Sequence, residues 1–326
     1  MSPRERRAPF EMAGVSVPAG RRTTLELPVG RLVSGGQMAL PVLVLHGRRE
    51  GPTMWLSAAI HGDELCGVEI IRRVIASIDP RMLAGTLIAV PVLNVYGFNT
   101  GERALPDRRD LNRSFPGSPR GSMAGRIAHL MMTEVVSRCD VGIDLHTGSD
   151  NRANLPQIRG DLDDPRTLEL AKRFAPPLCL NAKTRDGSLR AAATGAGATV
   201  LLMEAGEANR FDETAIGVGT DGVLRVMAGE SMIDTAPEAR HEPRLSWGSQ
   251  WVRAARSGIA QIEVDLGEIV DRGQLLASVY DTFGKRLGTL RARTGGMVIG
   301  LTRRPLLNRG DAVAHIAELQ PLGGAG

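Results

Sequence analysis

"TMWLSAAIHGDELCGVEIIRRVIASI", residues 53–78, reads as a buried strand that turns directly into a helix. Its first eight residues form a short, mostly apolar run ended by the polar "HGDE". From there Leu65, Val68, Ile71 and Ile75 recur at the spacing of one helical face. The same alternation continues downstream. "GTLIAVPVLN" (85–94) is strand-like, and "GSMAGRIAHLMMTEVVSRC" (121–139) is helical, with Ser122 placed to cap it. "VGIDLH" (141–146), "PLCLNA" (177–182) and "ATVLLMEAG" (198–206) read as further strands. "DDPRTLELAKRF" lies among them, and "FDETAIGVGTDGVLRVMAG" comes after the last. Strands alternating with helices imply an α/β fold, a mostly parallel mixed sheet sandwiched by helices.

The C-terminal part has another texture. After the charged, proline-bearing "DTAPEARHEPR" (234–244) the apolar runs shorten and glycine recurs. Two stretches, "GEIVDRGQLLASV" and "PLLNRGDAVAHI", echo one another. The expected organisation is an N-terminal arm and β segment over residues 1–52, the main α/β domain over 53–233, a linker over 234–244, and a small all-β, barrel-like domain over 245–326.

The composition excludes several function classes. With 326 residues, 42% hydrophobic and 23% charged, the chain is ordinary globular protein rather than disordered. A net charge of +4 is spread along the chain, and only 3% of residues are aromatic. The interleaved basic and stacking side chains of a single-strand binder are therefore missing, so no nucleic-acid partner is expected. The basic cluster Arg4, Arg6 and Arg7 lies in a polar arm and reads as solvated. No run of about eighteen apolar residues occurs and the N-terminus lacks an apolar signal core, so neither membrane nor export is expected. Cys66, Cys139 and Cys179 are few and widely spaced, which fits a reducing, cytoplasmic compartment.

Three features gather at predicted strand ends, where open α/β sheets place ligand sites. His61 and Glu64 follow the first strand, and His146 ends another. Two histidines and a carboxylate can form a catalytic metal set with a position left for water. An isolated HxxE is weak, however, and the alternative has Asp63 or Glu64 complementing a helix N-terminus while His61 caps the strand. The second feature is "GERALPDRRDLNRSFPG" (101–117). Arg113 beside Asn112 suits a substrate carboxylate, which a guanidinium grips with two hydrogen bonds. Arg103, Arg108 and Arg109 are cations able to stabilise an oxyanion; the alternative is a solvated loop. The third is Glu204 in "LLMEAGE", a carboxylate behind four apolar residues that is costly unless paired or functional. It is a candidate general base or else one half of a structural ion pair.

Together "HGDE", "DLNRSFPG", "DLHTG" and "MEAG", in this order and at compatible spacing, resemble the succinylglutamate desuccinylase and aspartoacylase family, a branch of the zinc carboxypeptidase-like enzymes. Motifs in order are far more specific than any one alone, and the resemblance covers about residues 53–230 plus the small β tail. It implies that His61, Glu64 and His146 hold one Zn2+ per chain and that Glu204 is the general base. It makes Asn112 and Arg113 the clamp on the substrate carboxylate, and Arg103 the residue that polarises the carbonyl, with Arg108 and Arg109 still open.

The expected activity is zinc-dependent hydrolysis of the amide of an N-acylated amino acid or related small carboxylate-bearing molecule by metal-activated water. One alternative is a zinc carboxypeptidase acting on small peptides, because the same clamp can hold a terminal carboxylate. A second is a non-catalytic binding protein of the same fold. The tail resembles a lipoyl or biotinyl carrier barrel, but Lys285 in "YDTFGKRLG" lacks the methionine neighbour of a modified lysine, so the tail is expected to cover the active-site mouth or form a homo-oligomer contact. His46, His129, His241 and His315 are expected to be structural or surface residues.

Overall fold

The computed structural model describes residues 7–149 and 151–320. Arg4 and Arg6, with the outermost ends of the first and last expected segments, lie outside the described residues. The opening stretch forms the strand Arg49–Ala58 and the helix Cys66–Ser77. Strand periodicity sends Met54, Leu56 and Ala58 into one buried cluster and Trp55 into a second on the opposite face. A sheet with two apolar faces has to be covered twice. The helices Cys66–Ser77, Pro165–Phe174 and Glu213–Gly229 supply Ile70, Leu170 and Val223 to the first cluster. Met123–Leu130 and Leu189–Gly195 supply Ile127 and Ala193 to the second.

Four strands at the centre run parallel, in the order Thr199–Glu207, Val141–Gly148, Arg49–Ala58 and Ala84–Val90. Val141–Gly148 and Ala84–Val90 are buried along their whole length, as two-sided cover requires. Gln37–His46 and Arg21–Arg31 extend the sheet antiparallel beyond Ala84–Val90. Arg152–Gly160 extends it antiparallel beyond Thr199–Glu207. The architecture is thus the expected mixed α/β sheet flanked by helices, with extra C-terminal antiparallel strands.

Several elements differ in detail from the sequence pattern. In Cys66–Ser77 the fully buried side chains include Ile70, Ile71 and Val74, whereas Val68 and Ile75 only flank them. The helix touches both the sheet and Glu213–Gly229, so its buried face is wider than a single stripe. Glu69 is buried there too, because Arg72 and Arg73 each donate to its carboxylate, at 2.6 and 2.7 Å. Ser122 does cap Met123–Leu130, its hydroxyl accepting from the Gly125 amide at 3.2 Å. Beyond Leu130 the expected helix continues as a wider turn, Met131–Val135, and a tight one, Val136–Arg138.

The C-terminal echo corresponds to two matching units. Ile269–Val270 and Leu275–Tyr280 flank one tight turn, and Leu306–Leu307 and Ala312–Glu318 flank the other. Leu275–Tyr280 and Leu306–Leu307 form a four-stranded sheet with Gly258–Ile262 and Arg286–Arg291. The rest join the large sheet: Gly248–Arg253 pairs with Ala312–Glu318, which pairs with Gly296–Thr302, and that strand pairs with Arg152–Gly160. Arg244–Ser246, at the end of the expected linker, pairs with Leu178–Asn181. Among the described residues no helix is long and apolar enough to cross a membrane.

Candidate active site

The backbone leaves the strand Arg49–Ala58 at Ala59, whose φ of 46° lies in the left-handed region. For a residue with a Cβ this costs about 1 kcal/mol or more, a strain that tends to persist where the surroundings enforce a functional turn. Here the amides of Leu93 and Asn94 donate to the carbonyls of Ala58 and Ala59, at 3.1 and 2.8 Å. Gly62 then passes so close to the helix Val95–Thr100 that a Cβ would sit 2.0 Å from the Gly97 carbonyl carbon. The turn holds His61 and Glu64 fixed and buried. Glu64 precedes the helix by two residues rather than starting it, so its carboxylate is free to face sideways.

That carboxylate stands between two imidazoles. Nδ1 of His61 lies 2.6 Å from one Glu64 oxygen, and Nδ1 of His146 lies 2.9 Å from the other. The opposite nitrogens also have carboxylate partners: Nε2 of His61 meets Asp110 at 3.1 Å, and Nε2 of His146 meets Asp144 at 2.8 Å. Asp144 accepts in turn from the Ser57 hydroxyl at 2.8 Å. One ligand atom from each of His61, Glu64 and His146 lies within 4.8 Å of the others, and all three residues are buried. The donor set fits a divalent metal. Two imidazoles and a carboxylate converge, and each remote ring nitrogen is oriented by an acid, as metal-binding histidines require.

Electrostatics follow from this packing. Burial alone would lower the pKa of His61, but Glu64 and Asp110 outweigh it and the net shift is upward from 6.5. His146 behaves likewise through Asp144 and Glu64. Burial opposes ionisation of Glu64, yet the two imidazoles hold its carboxyl well below the ordinary range.

The cluster opens into a cavity of about 520 Å³. Glu204 lines it, in register with His146 on the neighbouring parallel strand. The Asn154 amide donates to the Glu204 carboxylate at 2.8 Å, and an Arg159 guanidinium nitrogen stands 3.7 Å from its other oxygen. Arg103 lines the cavity beside the cluster, 3.3 Å from Glu64 and 3.4 Å from Asp110. Arg108 and Arg109 are exposed and do not line it, and Arg109 pairs with Asp107. Asn112 is buried, its side-chain oxygen accepting from the Leu189 amide at 2.9 Å, and Arg113 lies exposed at the cavity wall. The seven residues singled out in the sequence therefore share one cavity.

Others were missed. Asp144 was legible, since a buried acid two positions before His146 shares its strand face. Asp110 lay inside the arginine-rich stretch without distinction. Asn154 and Arg159 sit on Arg152–Gly160, a strand not anticipated because Pro156 and polar residues interrupt its apolar pattern. His315, expected to be merely structural, lines the cavity stacked on Trp251 at 4.5 Å between ring centroids. Burial and the nearby Arg159 push its pKa down to about 3, so this imidazole is neutral. Arg190 was not missed: with Arg185 and Tyr96 it is a candidate from the sequence for recognising the acyl group or amine, and it is buried at the wall, where one of its nitrogens donates to the Lys183 carbonyl at 2.8 Å and the other, Nη1, has no partner among the described residues.

The catalytic-domain model of the succinylglutamate desuccinylase/aspartoacylase family matches residues 50–229, more than half of the chain and the whole of this cluster. The chain belongs to this family. Among relatives, the N-alpha-acetyl-L-2,4-diaminobutyric acid deacetylase of Halomonas elongata is 29% identical over 310 residues, covering 90% of each chain. The solved succinylglutamate desuccinylase/aspartoacylase of Rhodobacter sphaeroides matches with a TM-score of 0.83 at 27% identity, over 92% of this chain and 96% of that one. The product-bound ectoine utilization protein EutE (DoeB) of Ruegeria pomeroyi matches with a TM-score of 0.84 at 25% identity, over 95% and 99%.

Proposed function

We propose that the protein is a zinc-dependent amidohydrolase that removes the acyl group from an N-acylated amino acid or a related small carboxylate-bearing amide. The observation that carries this reading is the convergence of His61, Glu64 and His146 with Glu204 and Arg103 in one cavity. His61, Glu64 and His146 would hold one Zn2+ per chain, and zinc bound there supplies Lewis acidity and lowers the pKa of water to about 7. Glu204 accepts the proton of the attacking water and returns it to the departing amine, which asks for an acid able to change state in place. Arg103 faces the developing oxyanion, its charge directed into the cavity by Glu64 and Asp110.

Asn112 and Arg113 clamp the free carboxylate of the substrate. Support for an anionic substrate end comes from the wall, where among the described residues Arg103, Arg113, Arg152, Arg159, Lys183, Arg185 and Arg190 stand with two acids, Glu64 and Glu204. A buried guanidinium with an unpartnered nitrogen, as at Arg190, gains from an acceptor on a ligand. The cavity volume of about 520 Å³ is in the range of small-molecule sites and accommodates such an amide. In this reading residues 53–233 carry the chemistry, the β unit after residue 244 closes the cavity through Trp251 and His315, and the enzyme works in the cytoplasm.

The test is a panel of N-acetyl and N-succinyl amino acids alongside short peptides, assayed with zinc-loaded protein. Release of free amino acid from the acylated set supports the reading, and turnover confined to peptides would replace it with a carboxypeptidase. Within the panel, Arg113→Ala should raise KM for substrates with a free α-carboxylate by roughly 10-fold or more over their amidated forms. Equal effects on both would move the clamp elsewhere.

A further inference from the structure

Glu204 has to offer its carboxylate at a fixed angle, yet neither of its neighbours in the motif "MEAG" holds it. Its hydrogen bond comes from across the sheet. Arg152–Gly160 pairs antiparallel with Thr199–Glu207, with Gln157 opposite Glu204 and Asn154 opposite Gly206. Three steps on one strand thus match two on the other, an irregularity that spans Leu155 and the donor-less Pro156. A slip of one residue exchanges the faces of every residue beyond it, and bulges of this kind re-aim side chains beside active sites. The side chain brought to the carboxylate is Asn154, whose Nδ2 donates to it at 2.8 Å.

The other edge of Asn154 belongs to the C-terminal unit. Its backbone lies opposite Gly300 of the strand Gly296–Thr302. A Cβ on Gly300 would come within 3.1 Å of the Asn154 side-chain oxygen, tight enough that the amide would have to give by a few tenths of an ångström, and within 3.2 and 3.3 Å of His315 and Trp251. Nearby, the Gln157 amide donates to the Ile299 carbonyl at 3.0 Å, tying the same two strands together. Asn154 is itself buried, so its side chain is held between the general base and the tail strand.

We propose that Asn154 is a positioning residue for Glu204, and that the strand Gly296–Thr302 is the buttress that sets it. The proposal rests on the reading of Glu204 as general base. It gives the C-terminal unit a part in turnover: the strand acts through one amide on the reacting proton, without touching substrate.

Three variants test this in the zinc-loaded full chain, on the member of the acyl amino-acid panel turned over fastest. Asn154→Asp keeps the shape but loses the donor and adds a like charge; kcat should fall roughly 10- to 100-fold, with KM within about twofold and zinc content unchanged. Asn154→Gln retains a donor and should recover part of that loss. Gly300→Ala should lower kcat several-fold, and combining it with Asn154→Asp should cost no more than Asn154→Asp alone, because both act through the same contact. Wild-type kcat in Asn154→Asp, or losses that multiply in the double variant, would overturn the proposal. A structural readout needs no substrate: in crystals of zinc-loaded Asn154→Ala the Glu204 carboxylate should leave its present position, and an unmoved carboxylate also defeats the idea. Glu204→Gln separates the two levels. If it retains turnover the general-base reading fails, whereas its loss beside an unaffected Asn154→Asp removes Asn154 alone.

Discussion

His146 and Glu204 stand side by side on adjacent parallel strands, yet they are held by different means. His146 joins a network of ionic partners: Asp144 and Glu64 bind it, Glu64 also meets His61 and Arg103, and those two share Asp110, which closes a ring. Glu204 touches a neutral amide and a guanidinium at 3.7 Å, on a strand shared with the C-terminal unit. In a buried cluster each charge needs an opposite one nearby, and the result is a rigid grip suited to an ion. The lighter restraint on Glu204 suits the general-base role proposed for it, since a strong ion pair would fix a carboxylate in one state.

The difference can be broken by substitution. His146→Ala should abolish metal binding and reduce turnover by on the order of a thousandfold or more, read by elemental analysis and steady-state assay; a variant that keeps both would dissolve the ionic ring as a metal site. Glu204→Gln should retain the metal while kcat falls roughly 10²- to 10⁴-fold, so loss of metal from this variant would mean that the two walls are not separable. Asp144→Asn leaves the ligands in place but loosens the orientation of His146. Chelator competition should show metal affinity weakened about 10- to 100-fold, and no change would leave Asp144 a folding residue only.

The smallest effect is one of pH. In metal-free protein the His61 and His146 pKa values are raised, so both rings hold protons above 6.5. That contribution to metal-free stability is fully present below about 6.5 and is lost as pH rises through the raised values. Ligands must be deprotonated to bind, so zinc affinity should climb over the same window by about tenfold per pH unit for each proton displaced. Glu204→Gln should leave that titration unchanged, and a flat profile in the wild type would contradict the ionic ring.

Legibility in the sequence divides along the same line. His61, Glu64, Asn112, Arg113, His146 and Glu204 lie in short motifs beside parallel strands, and a strand end announces itself locally through an apolar run and a polar stop. The central sheet and its helices were legible for the same reason. Arg103 became distinct from Arg108 and Arg109 only once the fold showed which of them borders the cavity. Asn154 and Arg159 gain their meaning from pairing across strands and from a one-residue slip, neither of which leaves a periodic trace. His315 and Trp251 come from the C-terminal part of the chain, carried to the cavity wall by strands whose partners their own sequence does not specify.

The shared strand Arg152–Gly160 has one more effect. Its outer border is divided: residues 157–160 are covered by Leu178–Asn181, and residues 152–154 by Gly296–Thr302. A fragment cut before residue 245 would bare the backbone donors and acceptors of that second half at a sheet margin, a template on which further chains can add. The tail covers that margin in the full chain, so a shortened catalytic fragment should self-associate more than the full chain, as read by light scattering.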